Sequence, residues 1–126
     1  MPTIRRLVGV YDAEHTWRGE LAYWIGARLG RRHCSLCDIT HGLFTVKDEW
    51  IACRAGLPVA FDTYHLDDQP ADVRSALGGR APAVVAETEG GIVLLLDSAA
   101  LEECGGSVTR LVTALETAVE AAGLSW

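Results

Sequence analysis

Two apolar runs, Ala81–Glu87 (APAVVAE) and Ile92–Asp97 (IVLLLD), stand on either side of Glu89-Gly90-Gly91. Glycine supplies the positive φ that a tight hairpin needs, so these runs predict two antiparallel strands joined by a turn. The chain is therefore committed to a sheet. After a short helical turn over Ser98–Gly106, the segment Ser107–Ala122 carries Leu111, Leu115, Val119 and Ala122 at helical spacing. It is an amphipathic helix with an apolar face to pack on that sheet.

The rest of the chain supplies the remaining elements. Ile4–Tyr11 (IRRLVGVY) is apolar and β-branched in its second half and reads as a strand. Asp12–Thr16 is polar and loop-like. Thr16 can cap a helix in which Leu21, Trp24, Ile25 and Leu29 recur at helical spacing, with Gly30 as its stop. Lys47–Ala55 is helical, with Trp50, Ile51 and Cys53 inward and Gly56 closing it. Pro58–Leu66 (PVAFDTYHL) is a strand, and Pro70–Leu77 a short helix ended by Gly78-Gly79. Helices join the first two strands, so those strands should run parallel. No repeat, low-complexity segment or linker interrupts the order.

The 126 residues suffice for one domain with its own core and are too few for two. No apolar run approaches the roughly 20 residues needed to span a bilayer. The apolar stretch near Met1 is too short for a signal-peptide core, which predicts a cytoplasmic protein. A net charge of -6 disfavours nucleic acid and anionic lipid as partners. The phosphate-loop, dinucleotide, G-x-S-x-G and H-E-x-x-H motifs are all missing from the sequence.

The order β-α-(insert)-α-β-α-β-β-α resembles the thioredoxin-like superfamily. Arg80-Ala81-Pro82-Ala83-Val84-Val85, just before the third strand, is similar to the segment in which that family carries a cis proline beside its active site. The resemblance thus implies a cis Ala81–Pro82 bond. It also implies a Cys-x-x-Cys directly after the first strand. Here that position holds Asp12-Ala13-Glu14-His15-Thr16-Trp17, and the pair Cys34/Cys37 comes after the first helix instead. The string His33-Cys34-Ser35-Leu36-Cys37-Asp38-Ile39-Thr40-His41 also resembles one carried by short uncharacterised bacterial proteins.

That string concentrates the chemistry: two cysteines and two histidines within nine residues. In a reducing cytosol a Cys-x-x-Cys pair points to metal or redox chemistry rather than to a structural disulfide. Cys34 and Cys37 can ligate one ion, and His41 is within reach if the segment turns. Such a donor set suits zinc, and thiolates also suit Cu(I). His33 is a further donor, although residues as close as His33 and Cys34 seldom point at one ion. In the redox reading, Arg31, Arg32 and His33 favour a Cys34 thiolate as attacker, and Asp38 disfavours one at Cys37, the resolving thiol. In a third reading the cysteines and histidines are packing residues of an interaction module.

Elsewhere the plain readings prevail. Cys53 and Cys104 are buried small hydrophobes. Trp17, Tyr23 and Trp24 belong to the core. Asp12, Glu14 and His15 form a solvated loop, His65 is a satisfied strand-end histidine, and Asp67-Asp68 a turn. The segment 31–46 has to climb the height of the sheet before the second helix. This brings the string toward the carboxyl edge of the strands, where open α/β sheets place their ligands, near Pro82 and His65.

The expectation is thus one thioredoxin-like α/β domain over 1–126. It has a four-stranded mixed sheet flanked by helices and an inserted Cys/His segment after the first helix. Its preferred function is binding a transition metal (Zn, Cu(I) or Fe) through Cys34, Cys37, His41 and His33, with scope for metal-dependent catalysis. The alternatives are a thiol–disulfide oxidoreductase using Cys34 and Cys37 on a small-molecule thiol or disulfide, and a non-catalytic interaction module.

Overall fold

The computed structural model describes residues 2–11, 36, 39 and 47–126. The expected helix over 16–29 and the residues His33, Cys34, Cys37 and His41 lie outside the described residues, as does the polar loop at 12–16.

Four strands form one mixed sheet in the order β2-β1-β3-β4. They are β1 (Ile4–Val10), β2 (Ala60–Tyr64), β3 (Ala83–Thr88) and β4 (Gly91–Leu96). β1 runs parallel to β2 and antiparallel to β3, and β3 is antiparallel to β4, as the connections predict. β1 is thus a central strand, which explains why Leu7 to Val10 are buried without alternation. A register shift between Ile4 and Arg6 puts Ile4 on the same side as Leu7, where regular alternation would separate them.

Four described helices follow the strands: α1 (Asp48–Gly56), α2 (Ala71–Leu77), α3 (Ser98–Glu103) and α4 (Val108–Ala121). One face of the sheet carries Leu7, Phe61, Val84 and Ala86, covered by Trp50 of α1, Leu101 of α3 and the Val108, Leu111, Leu115, Val119 stripe of α4. Trp50 meets Phe61 edge to face, with centroids 4.9 Å apart. On the opposite face Val8, Val10, Ala83 and Val85 pack under Val73 and Leu77 of α2.

Caps fix the helix ends. Asp97 accepts a bond from the Ala100 N–H at 2.9 Å, and Ser107 Oγ one from the Arg110 N–H at 3.2 Å. Gly78 ends α2 with φ 58°, and the Arg80 guanidinium donates to Leu77 O and Ala76 O, two carbonyls of its last turn. At the other end of β1, Ile4 N donates to Ser125 O at 2.7 Å and Ser125 N to Pro2 O at 2.9 Å, so the last residues clasp the first strand.

Three readings need correction. Ile51 is 55% exposed: Trp50 and Ile51 are about 100° apart around a helix, and the larger ring takes the place against Phe61. Ala122 is exposed as well. It lies one residue past α4, and Gly123, at φ 69°, turns the chain so that Leu124 fills the core instead. Cys53 is half-buried rather than enclosed, whereas Cys104 is buried.

Candidate functional site

The parallel strands β1 and β2 end at Val10 and Tyr64, and the pairing continues one step further because Tyr11 N donates to Tyr64 O at 2.9 Å. Tyr11 and His65 therefore emerge side by side at the carboxyl edge. Their rings lie 5.3 Å apart, tilted by 50°. β3 arrives from the other side with Ala83 opposite Val10, and the Ala81–Pro82 bond just before it is cis. The cis bond expected from the sequence is therefore present, at the expected edge. An open cavity of about 310 Å³ lies beside it, lined by Gly79, Arg80, Ala81, Asp97, Ser98 and Ala99.

His65 is held by the turn that follows β2. Asp68 Oδ1 accepts a hydrogen bond from the His65 backbone N–H, while its other oxygen, Oδ2, lies 3.7 Å from His65 Nδ1. One carboxylate thus locks the backbone of the turn and faces the imidazole. Gln69 closes the turn from below: its amide donates to Leu66 O at 3.1 Å. The His65 side chain is 21% exposed, so it is reachable from solvent.

Two residues of the Cys/His string are described. Leu36 and Ile39 are helical and fully buried, and both belong to the core on the face that carries Leu7 and Phe61. Leu36 packs on Gly9. A Cβ built on Gly9 would lie 3.2 Å from Leu36 Cδ2 and 3.0 Å from Phe61 Cε1, so glycine is required here for space rather than for its φ. Gly9 is the residue two before Tyr11. Leu36 is therefore anchored against the carboxyl half of β1.

The remaining thiols are passive. Burial pushes the Cys53 thiol above its ordinary value, and Glu49 adds to the shift. Burial does the same to Cys104, with Arg110 opposing it, and Cys104 Sγ donates to Ala100 O at 3.5 Å. Both remain protonated at neutral pH and are poor nucleophiles.

A second polar cluster lies on the sheet face that carries Val8 and Val10. Arg6 donates to Tyr64 Oη, Asp62 Oδ2 and Glu87 Oε2, each at 2.9 Å, and so ties β2, β1 and β3 together. These bonds, Tyr64's foremost, raise the guanidinium's already high value further. Its Nε and Nη1 donors are engaged by three partners on two neighbouring strands, which makes it a brace for the sheet rather than a reactive group.

Among the described residues no group of three or more His, Cys, Asp or Glu side chains gathers as a metal ion requires. Nor is any described helix long and apolar enough to cross a membrane. Sequence reasoning passed over the Tyr11–His65–Asp68 grouping, because only the parallel pairing of β1 with β2 joins Tyr11 to His65. The aspartate three residues after a strand-end histidine was the available signal. The class this fold defines is an α/β protein with a four-stranded mixed sheet flanked by helices. The chain matches no family model, no curated protein and no solved structure.

Proposed function

We propose that the chain is a thioredoxin-like thiol protein of a reducing compartment such as the cytoplasm, in which Cys34 and Cys37 exchange dithiol for disulfide at the carboxyl edge of the sheet. The observation that carries this reading is the seat of Leu36, the residue between the two cysteines nearest Cys37, against Gly9. Gly9 stands two residues from Tyr11, and Tyr11 follows the residue paired with the first residue of β3, next to the cis Pro82. The strand order, the parallel β1/β2 pair, the β3/β4 hairpin and the terminal α4 support the thioredoxin-like assignment.

In this reading the Cys34 thiolate attacks a substrate disulfide. A mixed disulfide forms and one substrate thiolate leaves. Cys37 then attacks the Cys34 sulfur, the second substrate thiol departs, and two electrons have passed from the protein dithiol to the substrate. An external thiol such as glutathione returns the protein to its reduced form. The cationic neighbours Arg31, Arg32 and His33 favour the thiolate at Cys34, the attacking group.

The second reading is a transition-metal site (Zn, Cu(I) or Fe) formed by Cys34, Cys37 and His41, with His33 as a further donor. What favours it is the density of soft and borderline ligands in the string. One experiment separates the two. The protein is purified without chelator under reducing conditions and assayed for metal, then equilibrated in glutathione buffers and scored for a Cys34–Cys37 disulfide by alkylation and mass spectrometry. Cys34→Ser and His41→Ala variants are run beside it. The redox reading expects a reversible disulfide that is lost in Cys34→Ser and kept in His41→Ala. Stoichiometric metal that disappears from both variants, with no disulfide formed in the metal-free protein, would overturn it in favour of the metal site.

A further inference from the structure

The sheet ends in two outer strands of opposite character. β2 carries Asp62, which Arg6 holds at 2.9 Å and Arg54 approaches to 3.8 Å. Charge on an outer strand discourages a further strand from pairing with it. β4 (GIVLLL) has no charged residue and no proline, and its glycine, Gly91, stands at its start beside the hairpin turn. β4 pairs with β3 along one side, and among the described residues no strand pairs with the other. The register shift that leaves Leu95 without an opposite residue on β3 comes only after Leu94. Its side chains are half-covered. Ile92 packs against the cluster under α2, and Val93 and Leu95 against the cluster on the opposite face. Leu94 stands opposite Val85, on the side of α2, and is 37% exposed. Among the described residues only Ile51 is a comparably exposed large apolar side chain.

We propose that the chain pairs with a second copy of itself through β4, so that two sheets continue into one of eight strands, four from each copy. The charge pattern selects this occupant. β4 is apolar throughout and is flanked by two carboxylates, Glu89 in the turn before it and Asp97 directly after it. A partner strand must therefore be apolar along its length and keep negative charge away from both ends. A second β4, antiparallel about a two-fold axis at Leu94, does both. Leu94 then stands opposite its own mate, Val93 opposite Leu95 and Ile92 opposite Leu96. Asp97 falls opposite Gly91, and Glu89 lies beyond the paired segment, so no carboxylate faces another. Side chains directly opposite in an antiparallel pair have Cβ atoms about 4.5–5.5 Å apart, so the two half-exposed leucines cover each other. One patch meeting itself about a two-fold axis is also the commonest form of protein self-association.

The test is sedimentation velocity of the full chain from about 1 to about 200 μM, with a reducing agent present so that no intermolecular disulfide contributes. About 0.3 M NaCl screens the repulsion between two copies of net charge -6. The parent should pass from monomer to dimer as its concentration rises. Leu94→Lys and Leu94→Asp each set two like charges across the axis, and each should raise the dissociation constant by at least about tenfold. An equimolar mixture of the two should recover a dimer, because lysine then faces aspartate. Ile51→Lys, which charges the exposed side chain on α1, should leave the dimer unchanged. Circular dichroism and urea midpoints check that each variant folds. If the Leu94 variants do not fold, amide exchange in the parent decides: β4 should exchange more slowly at the high concentration than at the low one, and equal exchange would overturn the pairing. A parent that stays monomeric at the highest concentration would overturn it too and leave the edge to a strand of another protein. So would a folded Leu94→Lys protein that dimerises as tightly as the parent.

Discussion

Replacing Gly9 with alanine tests the contact on which the proposed placement of the Cys34–Cys37 site rests. The added methyl would sit 3.0 Å from Phe61 Cε1 and 3.2 Å from Leu36 Cδ2, well inside the 3.5–4.0 Å at which carbon atoms pack best. Phe61 and Leu36 are both fully enclosed, so neither can swing aside into solvent. Overpacking of this kind costs about 1–3 kcal/mol. A stiffer unfolded chain returns about 0.4–1 kcal/mol, since Gly9 does not occupy the positive-φ region and alanine can adopt its backbone. The net loss is on the order of 1 kcal/mol, which lowers a urea midpoint by about 0.5 M at an m-value near 2 kcal/mol/M. Leu36→Ala alone should cost about 2–5 kcal/mol. It also opens the space that the Gly9 methyl needs, so in that background Gly9→Ala should cost at least about 0.5 kcal/mol less, the Phe61 part of the clash remaining. Urea unfolding of the four proteins, followed by tryptophan fluorescence, closes the cycle. Strict additivity, or a Gly9→Ala protein as stable as the parent, would refute the packing of Leu36 on β1.

Two further outcomes follow from side chains outside the site. Trp50→Ala should cost about 3–5 kcal/mol, whereas Ile51→Ala should stay within about 0.5 kcal/mol, because one ring is enclosed against Phe61 and its neighbour faces water; similar losses in both would mean that α1 is rotated from the orientation described. Both carboxylate oxygens of Glu89 accept from the Thr3 N–H, at 2.9 and 3.0 Å, which holds the group below its ordinary value of 4.5. A depressed carboxylate stabilises the fold at pH values above the unfolded-state value and loses that contribution as pH falls through its folded value. The stability difference between the parent and Glu89→Gln should therefore be present at pH 7 and shrink as pH drops below 4.5; a gap that persists undiminished in acid would show that charge at Glu89 is not its source.

Local patterning made most of the sheet legible. The hairpin follows from its glycines, and the parallel β1/β2 pair from the helical material between them. The faces of α4 follow from Leu111, Leu115 and Val119. What escaped was set by tertiary contact. Adjacent Trp50 and Ile51 carry no signal for which one turns inward, because that depends on Phe61 lying opposite. The register shift near Arg5 has no turn residue to announce it, and Arg6 reads as a solvated arginine until Asp62, Tyr64 and Glu87 are brought to it from two other strands. The cis bond at Pro82 came from a resemblance, since a proline opening a strand is compatible with either isomer.

The Cys/His string shows the same limit in a more consequential form. Its only apolar members between His33 and His41, apart from the cysteines, are Leu36 and Ile39, too few to display a period. Three residues apart in helical conformation, they share one face, and that face is buried. Cys37 and Asp38 stand between these anchors in the chain, and Cys34 two residues before the first. The two anchors belong to the same core cluster as Leu7, Trp50 and Phe61, so Leu36 and Ile39 cannot leave it without emptying two fully packed positions, each worth about 2–5 kcal/mol. In the sequence, the candidate residues Cys34 and Cys37 are thus interleaved with Leu36 and Ile39, which the core holds in place. If the proposed dithiol reading holds, these two buried neighbours in the chain are what would tie the site to the packing of the sheet, the condition a site needs to act on a substrate with a fixed geometry.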